Sequence, residues 1–110
     1  MVSFDFSGKI VLITGATGAL GRVVARQFHQ AGATLALCAR EEALLTQLFA
    51  DLALDPQHLL QGGIDLRQPD DCDRLAQAVE DCFGRLDALV NTVGGFTAGP
   101  PVHETPLEDW

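Results

Sequence analysis

Three glycines spaced three residues apart, Gly15, Gly18 and Gly21, follow an apolar run at residues 10–13. The residues after them repeat with the spacing of a helix. The first backbone N–H groups of a helix lack partners within it and favour negative charge, and glycine lets an anion approach the backbone closely. The spacing therefore predicts a pyrophosphate site where a strand turns into a helix. A glycine-rich turn without a ligand is the alternative.

Strands and helices must alternate along the chain to position such a turn. The predicted strands are nearly continuous in apolar residues, which is typical of a parallel sheet covered on both faces. The pattern therefore predicts an α/β fold in the order βαβαβαβ. The predicted strands span about residues 9–14, 34–38, 59–64 and 86–91, and the predicted helices span about 19–31, 41–53 and 69–83.

Each predicted helix has an apolar stripe that we expect to face the sheet. In the first helix the stripe contains a single polar residue, Gln27. The three stripes are Leu20, Val23, Val24, Gln27, Phe28 and Ala31; Leu44, Leu45, Leu48 and Leu52; and Cys72, Leu75, Ala76, Val79 and Phe83.

The start of the chain is similar to a known family. Residues 6–9, Phe-Ser-Gly-Lys, lead into the first strand, which ends at Thr14, directly before the spaced glycines. In these residues the chain resembles the short-chain dehydrogenases/reductases. The resemblance implies a Rossmann-type doubly wound parallel sheet with strand order 3-2-1-4 and a nicotinamide dinucleotide cofactor. It also implies an oxidoreductase that transfers hydride to or from a carbonyl or a secondary alcohol.

The end of the second strand predicts which dinucleotide is bound. Family members specific for NAD usually have an acidic residue one place before Arg40, and this chain has Ala39 there. An arginine without a competing carboxylate suits a 2′-phosphate, to which it can donate two charge-assisted hydrogen bonds. We therefore predict NADP, with NAD as the less favoured cofactor. The alternative is a solvated Arg40 that pairs with Glu41 or Glu42.

Further contacts with the cofactor are implied by the resemblance. Asp65 and Leu66 match the family position that contacts the adenine ring, although Asp65 could also cap the next helix, and both roles can hold. Asn91 and Gly94 match the ends of the family's Asn-x-x-Gly loop beside the cofactor. The full set of predicted cofactor contacts is Gly15, Thr17, Gly18, Leu20, Gly21, Arg40, Asp65, Leu66, Asn91 and Gly94.

Catalytic residues of the family are not found in this chain. The resemblance implies a catalytic serine and a Tyr-x-x-x-Lys pair. The chain of 110 residues has no tyrosine, its serines Ser3 and Ser7 precede the first strand, and Lys9 lies near the start of that strand. We therefore predict no catalytic residue here, and hydride transfer by these residues alone is not expected.

The last residues predict a helix that has only begun. Thr105, Pro106 and Glu108 form a capping-box pattern, and the sequence stops at Trp110. We expect residues 1–110 to be a fragment, the N-terminal part of a single dinucleotide-binding domain. A natural C-terminal tail is the alternative, and with it a naturally short, non-catalytic nucleotide-binding or interaction module. An open edge at the fourth strand predicts that these residues are only marginally stable on their own. They either self-associate as a homo-oligomer, through Leu89, Val90 and the region of Phe96, or need the rest of the domain.

Composition limits the partners. The net charge of −8 argues against nucleic acid and against anionic membrane surfaces, because both need clustered Lys and Arg. No apolar stretch approaches the length of about 18 residues expected of a membrane span, and the sequence predicts a cytoplasmic protein.

No metal site is predicted. We expect the histidines at the surface and the cysteines as small core residues: His29, His58 and His103, and Cys38, Cys72 and Cys82.

Overall fold

A four-stranded parallel sheet with helices on both faces makes up residues 5–92, the part of the chain that the computed structural model describes. The strand order is β3-β2-β1-β4, so the predicted order 3-2-1-4 is confirmed. The strands are β1 Ile10–Thr14, β2 Thr34–Cys38, β3 Leu59–Gln61 and β4 Ala88–Asn91, and the helices are α1 Ala19–Gln30, α2 Glu42–Leu48, α3 Ala50–Ala53 and α4 Pro69–Phe83.

The core has two layers because successive side chains of a strand point to opposite faces of the sheet. Val11 and Ile13 of β1 lie in one buried layer, which includes residues of α1, α2 and α3. Leu12, between them in sequence, lies in the other layer with Leu75 and Val79 of α4. The sheet is therefore covered on both faces, as the predicted doubly wound fold requires.

The register places the carboxyl ends of three strands side by side. Thr14 at the end of β1 pairs with Cys38 at the end of β2 and with Asn91 at the end of β4. The strand order reverses at β1, since β2 follows on one side and β4 lies on the other. Ligands of open α/β sheets bind at this edge, outside the carboxyl ends of the strands where the order reverses.

The buried face of α1 differs from the predicted stripe. Leu20 and Val23 are 63% and 56% exposed, so their predicted burial is wrong. Gly21 and Ala25 are the buried residues of this helix. The physical reason is close approach, because a helix comes nearest to its neighbours along a line of small residues. The apolar stripe alone does not reveal which residues lie on that line.

Three element boundaries also differ from the prediction. The predicted helix at residues 41–53 is two helices, since Phe49 leaves the helical conformation with φ −124° and is buried. The third strand ends at Gln61, before Gly63 with its positive φ of +69°. The fourth strand begins at Ala88.

His58 is buried, at 8% exposure, so its predicted surface position is wrong. Its Nδ1 accepts a hydrogen bond from the Leu35 N–H at 3.0 Å. Ala36, the next residue of β2, is the first to pair with β3, opposite Leu59. The imidazole therefore supplies a backbone N–H of β2 with an acceptor just before the ladder to β3 begins.

Protonation of His58 at low pH should break its hydrogen bond with the Leu35 N–H and lower the stability of the fold. Burial lowers the pKa of His58 below 6.5, and the neighbouring His29 acts in the same direction, whereas Asp55 and Asp51 act to raise it. A lowered pKa means that the unfolded chain binds the proton more tightly than the folded chain does. The contribution to stability is therefore complete above about pH 6.5 and is lost as the pH falls through the folded-state pKa.

We expect the free energy of unfolding to decrease between pH 7.5 and 5.5, because a protonated Nδ1 turns an N–H toward the Leu35 N–H. Proton linkage at one histidine limits the decrease over these two pH units to about 1.4 kcal/mol. Urea unfolding at several pH values measures the decrease. His58→Asn is the matched control, since its Oδ1 can accept the same hydrogen bond without titrating. An equally steep pH dependence in the two proteins would contradict the prediction.

The cysteines differ in burial. Cys38 is buried, as predicted, whereas Cys72 is half-buried and Cys82 is exposed, so the prediction for Cys82 is wrong. Burial raises the pKa of the Cys38 thiol to about 11. Within residues 5–92, no helix is both long and apolar enough to cross a membrane.

Candidate functional site

The glycine turn connects β1 to α1 at the carboxyl edge of the sheet. Gly15 has a φ of +68°, a conformation that side chains with a branched Cβ rarely adopt. The Gly18 N–H donates to the Gly15 carbonyl at 3.0 Å, and Gly18 is the N-cap of α1. Among residues 5–92, no side chain forms a capping hydrogen bond at the N-terminus of α1. The first turn of α1 contains no acidic residue. The positive end of α1 is therefore available to an anion.

Gly21 lacks a side chain for a different reason, because there is no room for a Cβ atom at this position. A Cβ atom built on Gly21 would overlap the carbonyl oxygen of Gly15 and would lie 2.8 Å from the Thr92 Oγ1. A Cβ on Gly18 would lie 3.3 Å from the same carbonyl oxygen, a tight but less severe contact. The turn can therefore keep this shape only while Gly21 has no side chain.

Thr92 fastens the end of β4 to the glycine turn, a role that sequence reasoning missed. Its hydroxyl donates to the Thr14 carbonyl at 2.6 Å and lies 3.2 Å from the Gly15 carbonyl oxygen. The Thr14 hydroxyl in turn donates to the Asn91 Oδ1 at 2.7 Å. The available signal was the position of Thr92 inside the predicted Asn-x-x-Gly loop. Gly94, the other end of that loop, lies outside the described residues.

Arg22 is a second residue of this turn that is absent from the predicted cofactor contacts. Its guanidinium donates to the Thr17 carbonyl at 2.6 Å and to the Gly18 carbonyl at 3.3 Å. Both carbonyls belong to the glycine turn, so Arg22 places a positive charge beside it. Its place directly after Gly21 was the signal that could have identified it. Leu20, a predicted cofactor contact, is exposed near the start of the same helix.

Arg40 lies two residues beyond the end of β2 and is exposed, whereas Ala39 before it is buried. Within residues 5–92, Arg40 forms no ion pair with Glu41 or Glu42. The guanidinium is therefore available to an anion from outside the chain.

The Asp65 carboxylate is held by Arg67. Its Oδ1 accepts hydrogen bonds from the Arg67 N–H at 3.0 Å and from Nε at 3.1 Å, and its Oδ2 accepts one from Nη2 at 3.0 Å. These bonds lower the pKa of Asp65 to about 2, with a smaller contribution from the charge of Arg40. The N-cap of α4 is Gln68, so the predicted capping role of Asp65 is wrong. Its carboxylate binds Arg67 instead.

Backbone hydrogen bonds bring the turn and the loops after β2 and β3 together. The Ala16 N–H donates to the Cys38 carbonyl at 3.1 Å, and the Ile64 N–H donates to the Ala39 carbonyl at 3.1 Å. The glycine turn, Arg40 and Asp65 therefore follow the ends of neighbouring strands along one edge. This edge offers backbone N–H groups and guanidinium groups, which can bind and orient an elongated anion.

Comparison with known proteins finds one family model, related sequences and similar solved structures. A family model described as short chain dehydrogenase matches residues 9–110. The 11-beta-hydroxysteroid dehydrogenase A of Arachis hypogaea is 41% identical over 108 residues, which cover 96% of this chain and 30% of that protein. The chain thus spans less than a third of the length of this curated relative.

Two solved structures with bound dinucleotides are also similar. L-Sorbose reductase from Gluconobacter frateurii, complexed with NADPH and L-sorbose, superposes with a TM-score of 0.74 at 26% identity, covering 96% of this chain and 40% of that one. The 3-ketoacyl-(acyl-carrier-protein) reductase from Brucella melitensis, complexed with NADH, superposes with a TM-score of 0.73 at 26% identity, covering 96% and 42%. The two neighbours therefore differ in the dinucleotide that they hold.

Proposed function

The chain belongs to the short chain dehydrogenase family of oxidoreductases, and on this premise we propose that it is the cofactor-binding part of an NADP(H)-dependent enzyme. The proposed reaction is hydride transfer to or from a carbonyl or a secondary alcohol. The observation that carries the proposal is the exposed Arg40, which lacks an acidic partner within residues 5–92 and lies at the same sheet edge as the glycine turn.

The glycine turn fits a pyrophosphate. A side chain at Gly21 would fill the space against the Gly15 carbonyl, and the uncapped N-terminus of α1 offers backbone N–H groups to an anion. Arg22 adds a positive charge beside the turn. Backbone donors at a helix N-terminus and a nearby guanidinium are the groups that bind phosphates in other proteins.

Arg40 supports NADP(H) over NAD(H). The two dinucleotides differ by the 2′-phosphate, and only that phosphate gives a guanidinium a dianionic partner at this position. The neighbour with NADPH and the neighbour with NADH are equally similar to this chain, so family likeness alone does not choose between the cofactors. The buried Ala39 contributes no carboxylate that would bind the ribose hydroxyls of NAD.

The role we assign to this chain is binding and orientation. The cofactor, when bound, supplies or accepts the hydride. The chain has no tyrosine, and its one lysine, Lys9, precedes β1 at the opposite edge of the sheet from the glycine turn. We therefore place the proton-transfer residues of the proposed enzyme outside these 110 residues.

Calorimetric titration of the purified protein with NADPH and with NADH tests the proposal. We expect the dissociation constant for NADPH to be at least about tenfold lower, because a charge-assisted contact contributes on the order of 1.5–3 kcal/mol. Equal dissociation constants would overturn the choice of NADP(H). Binding of neither dinucleotide by a folded protein would overturn the assignment of a cofactor and favour an interaction module.

A further inference from the structure

Asp65 lies within electrostatic reach of two arginines that differ in their bonding. Arg67 forms three hydrogen bonds with the carboxylate and occupies both of its oxygens. Arg40 lies near Asp65, because the residues before them are hydrogen-bonded, with the Ile64 N–H donating to the Ala39 carbonyl at 3.1 Å. The charge of Arg40 contributes to the lowered pKa of Asp65, but Arg40 forms no ion pair within residues 5–92. One arginine thus neutralises the carboxylate, while the other remains available to an anion.

We propose that Arg67 is a positioning residue for cofactor choice: it holds the Asp65 carboxylate in a closed ion pair, which leaves the Arg40 guanidinium to the 2′-phosphate. The inference rests on the proposed function, because it concerns the same cofactor site. It adds a residue that does not touch the phosphate and acts through Asp65.

A hydrogen bond fixes the backbone of Asp65 independently of Arg67, so Arg67 is needed only to fix the position of the carboxylate. The Asp65 N–H donates to the Asp71 Oδ2 at 2.9 Å, and Asp71 pairs with Arg74 near the start of α4. With Arg67 removed, the Asp65 carboxylate is a mobile negative charge near Arg40. It then competes with the 2′-phosphate for the guanidinium and repels the phosphate directly.

Solvent limits the size of the effect. The side chains of Arg67 and Asp65 are 53% and 23% exposed, so water and salt screen their charges. We therefore expect Arg67→Ala to lower the preference for NADPH by about two- to fivefold, the range typical of exposed ion pairs. The change should come from weaker NADPH binding, because NADH has no 2′-phosphate for Asp65 to repel.

A double-mutant cycle at Arg67 and Asp65 tests the inference. The dissociation constants of NADPH and NADH are measured for the parent protein, Arg67→Ala, Asp65→Asn and the double variant. We expect Arg67→Ala to lower the ratio of the NADH constant to the NADPH constant, and to leave that ratio unchanged in the Asp65→Asn background. A lost adenine contact in Asp65→Asn would affect both dinucleotides alike and cancel in the ratio.

Two further variants serve as a control and as a replacement for Arg67→Ala. Arg85→Ala removes another exposed arginine that pairs with a nearby aspartate, Asp87, at the opposite edge of the sheet, and it should leave the ratio unchanged. Arg67→Gln repeats the test if Arg67→Ala does not fold, as judged by circular dichroism.

The outcomes separate this inference from the proposed function. A parent protein that prefers NADPH, with a ratio unaffected by Arg67→Ala, overturns the role of Arg67 and leaves the proposed cofactor intact. An equal loss of preference in the Asp65→Asn background means that Arg67 contacts the phosphate itself, which also overturns the inference. A parent protein without any preference overturns both.

Discussion

A Gly15→Val protein is expected to lose NADPH binding, with a dissociation constant raised more than about a hundredfold. The branched side chain would occupy the turn where backbone N–H groups meet the pyrophosphate, and it would remove no charge. Several hydrogen bonds to a charged group are lost together, each contributing on the order of 1.5–3 kcal/mol. The positive φ of Gly15 adds strain of about 1–3 kcal/mol, because a branched residue rarely adopts that conformation.

Gly84→Val is the control for that strain. Gly84 has a φ of +71°, almost the same as Gly15, and a Cβ built on it meets no atom within 4 Å. It ends α4 at the opposite edge of the sheet from the glycine turn, so its variant should lose comparable stability and keep its affinity for NADPH. Tight NADPH binding by a folded Gly15→Val protein would show that the cofactor does not bind at this turn.

An Arg40→Ala protein is expected to lose most of its preference for NADPH over NADH. The dissociation constant for NADPH should rise roughly ten- to more than a hundredfold, the value of a charge-assisted contact of about 1.5–3 kcal/mol. The constant for NADH should stay nearly unchanged, because its ribose carries no phosphate at the 2′ position. Titration of Arg40→Ala and of the parent protein with NADPH and with NADH, at one salt concentration, measures the ratio of the two dissociation constants.

Two comparisons sharpen the Arg40 experiment. Arg40→Lys keeps the charge and loses the planar pair of donors, so it should retain only part of the preference. Raising the salt concentration should weaken NADPH binding more than NADH binding in the parent protein, and should do so much less in Arg40→Ala. A preference that survives Arg40→Ala would mean that another residue binds the 2′-phosphate.

Local signals account for the elements that the sequence predicted well. The second strand was predicted at residues 34–38 and spans Thr34–Cys38, since five consecutive residues favour a buried strand and Gly32 precedes them. The helix Pro69–Phe83 was also predicted with its bounds, because Pro69 suits a first helical position and Gly84 provides the left-handed C-cap. Such signals depend on a residue and its neighbours in the chain, so a sequence contains them.

The glycine turn was also predicted from a local signal in the sequence. The requirement at Gly15 is a positive φ, which is a property of one residue. The spacing to Gly21 was visible in the sequence, but the reason for it was not, because the atom that excludes a side chain is the carbonyl oxygen of Gly15 folded back against the helix.

Contacts between distant residues were decided by the tertiary structure. His58 looked like a surface residue because nothing near it in sequence indicates that the Leu35 N–H needs an acceptor 23 residues away along the chain. Thr92 was not among the predicted contacts, although its hydroxyl reaches the Thr14 carbonyl 78 residues away. Each of these roles needs a polar partner on another strand, and only the strand register brings the two together.

The orientation of α1 shows the same limit for apolar residues. Its stripe predicted that Leu20 and Val23 face the sheet, and both are exposed. Periodicity reports that one side of a helix is apolar, whereas packing decides which line of residues approaches the sheet most closely. Here that line runs through Gly21 and Ala25, since only small side chains allow the helix to start against the turn that follows β1.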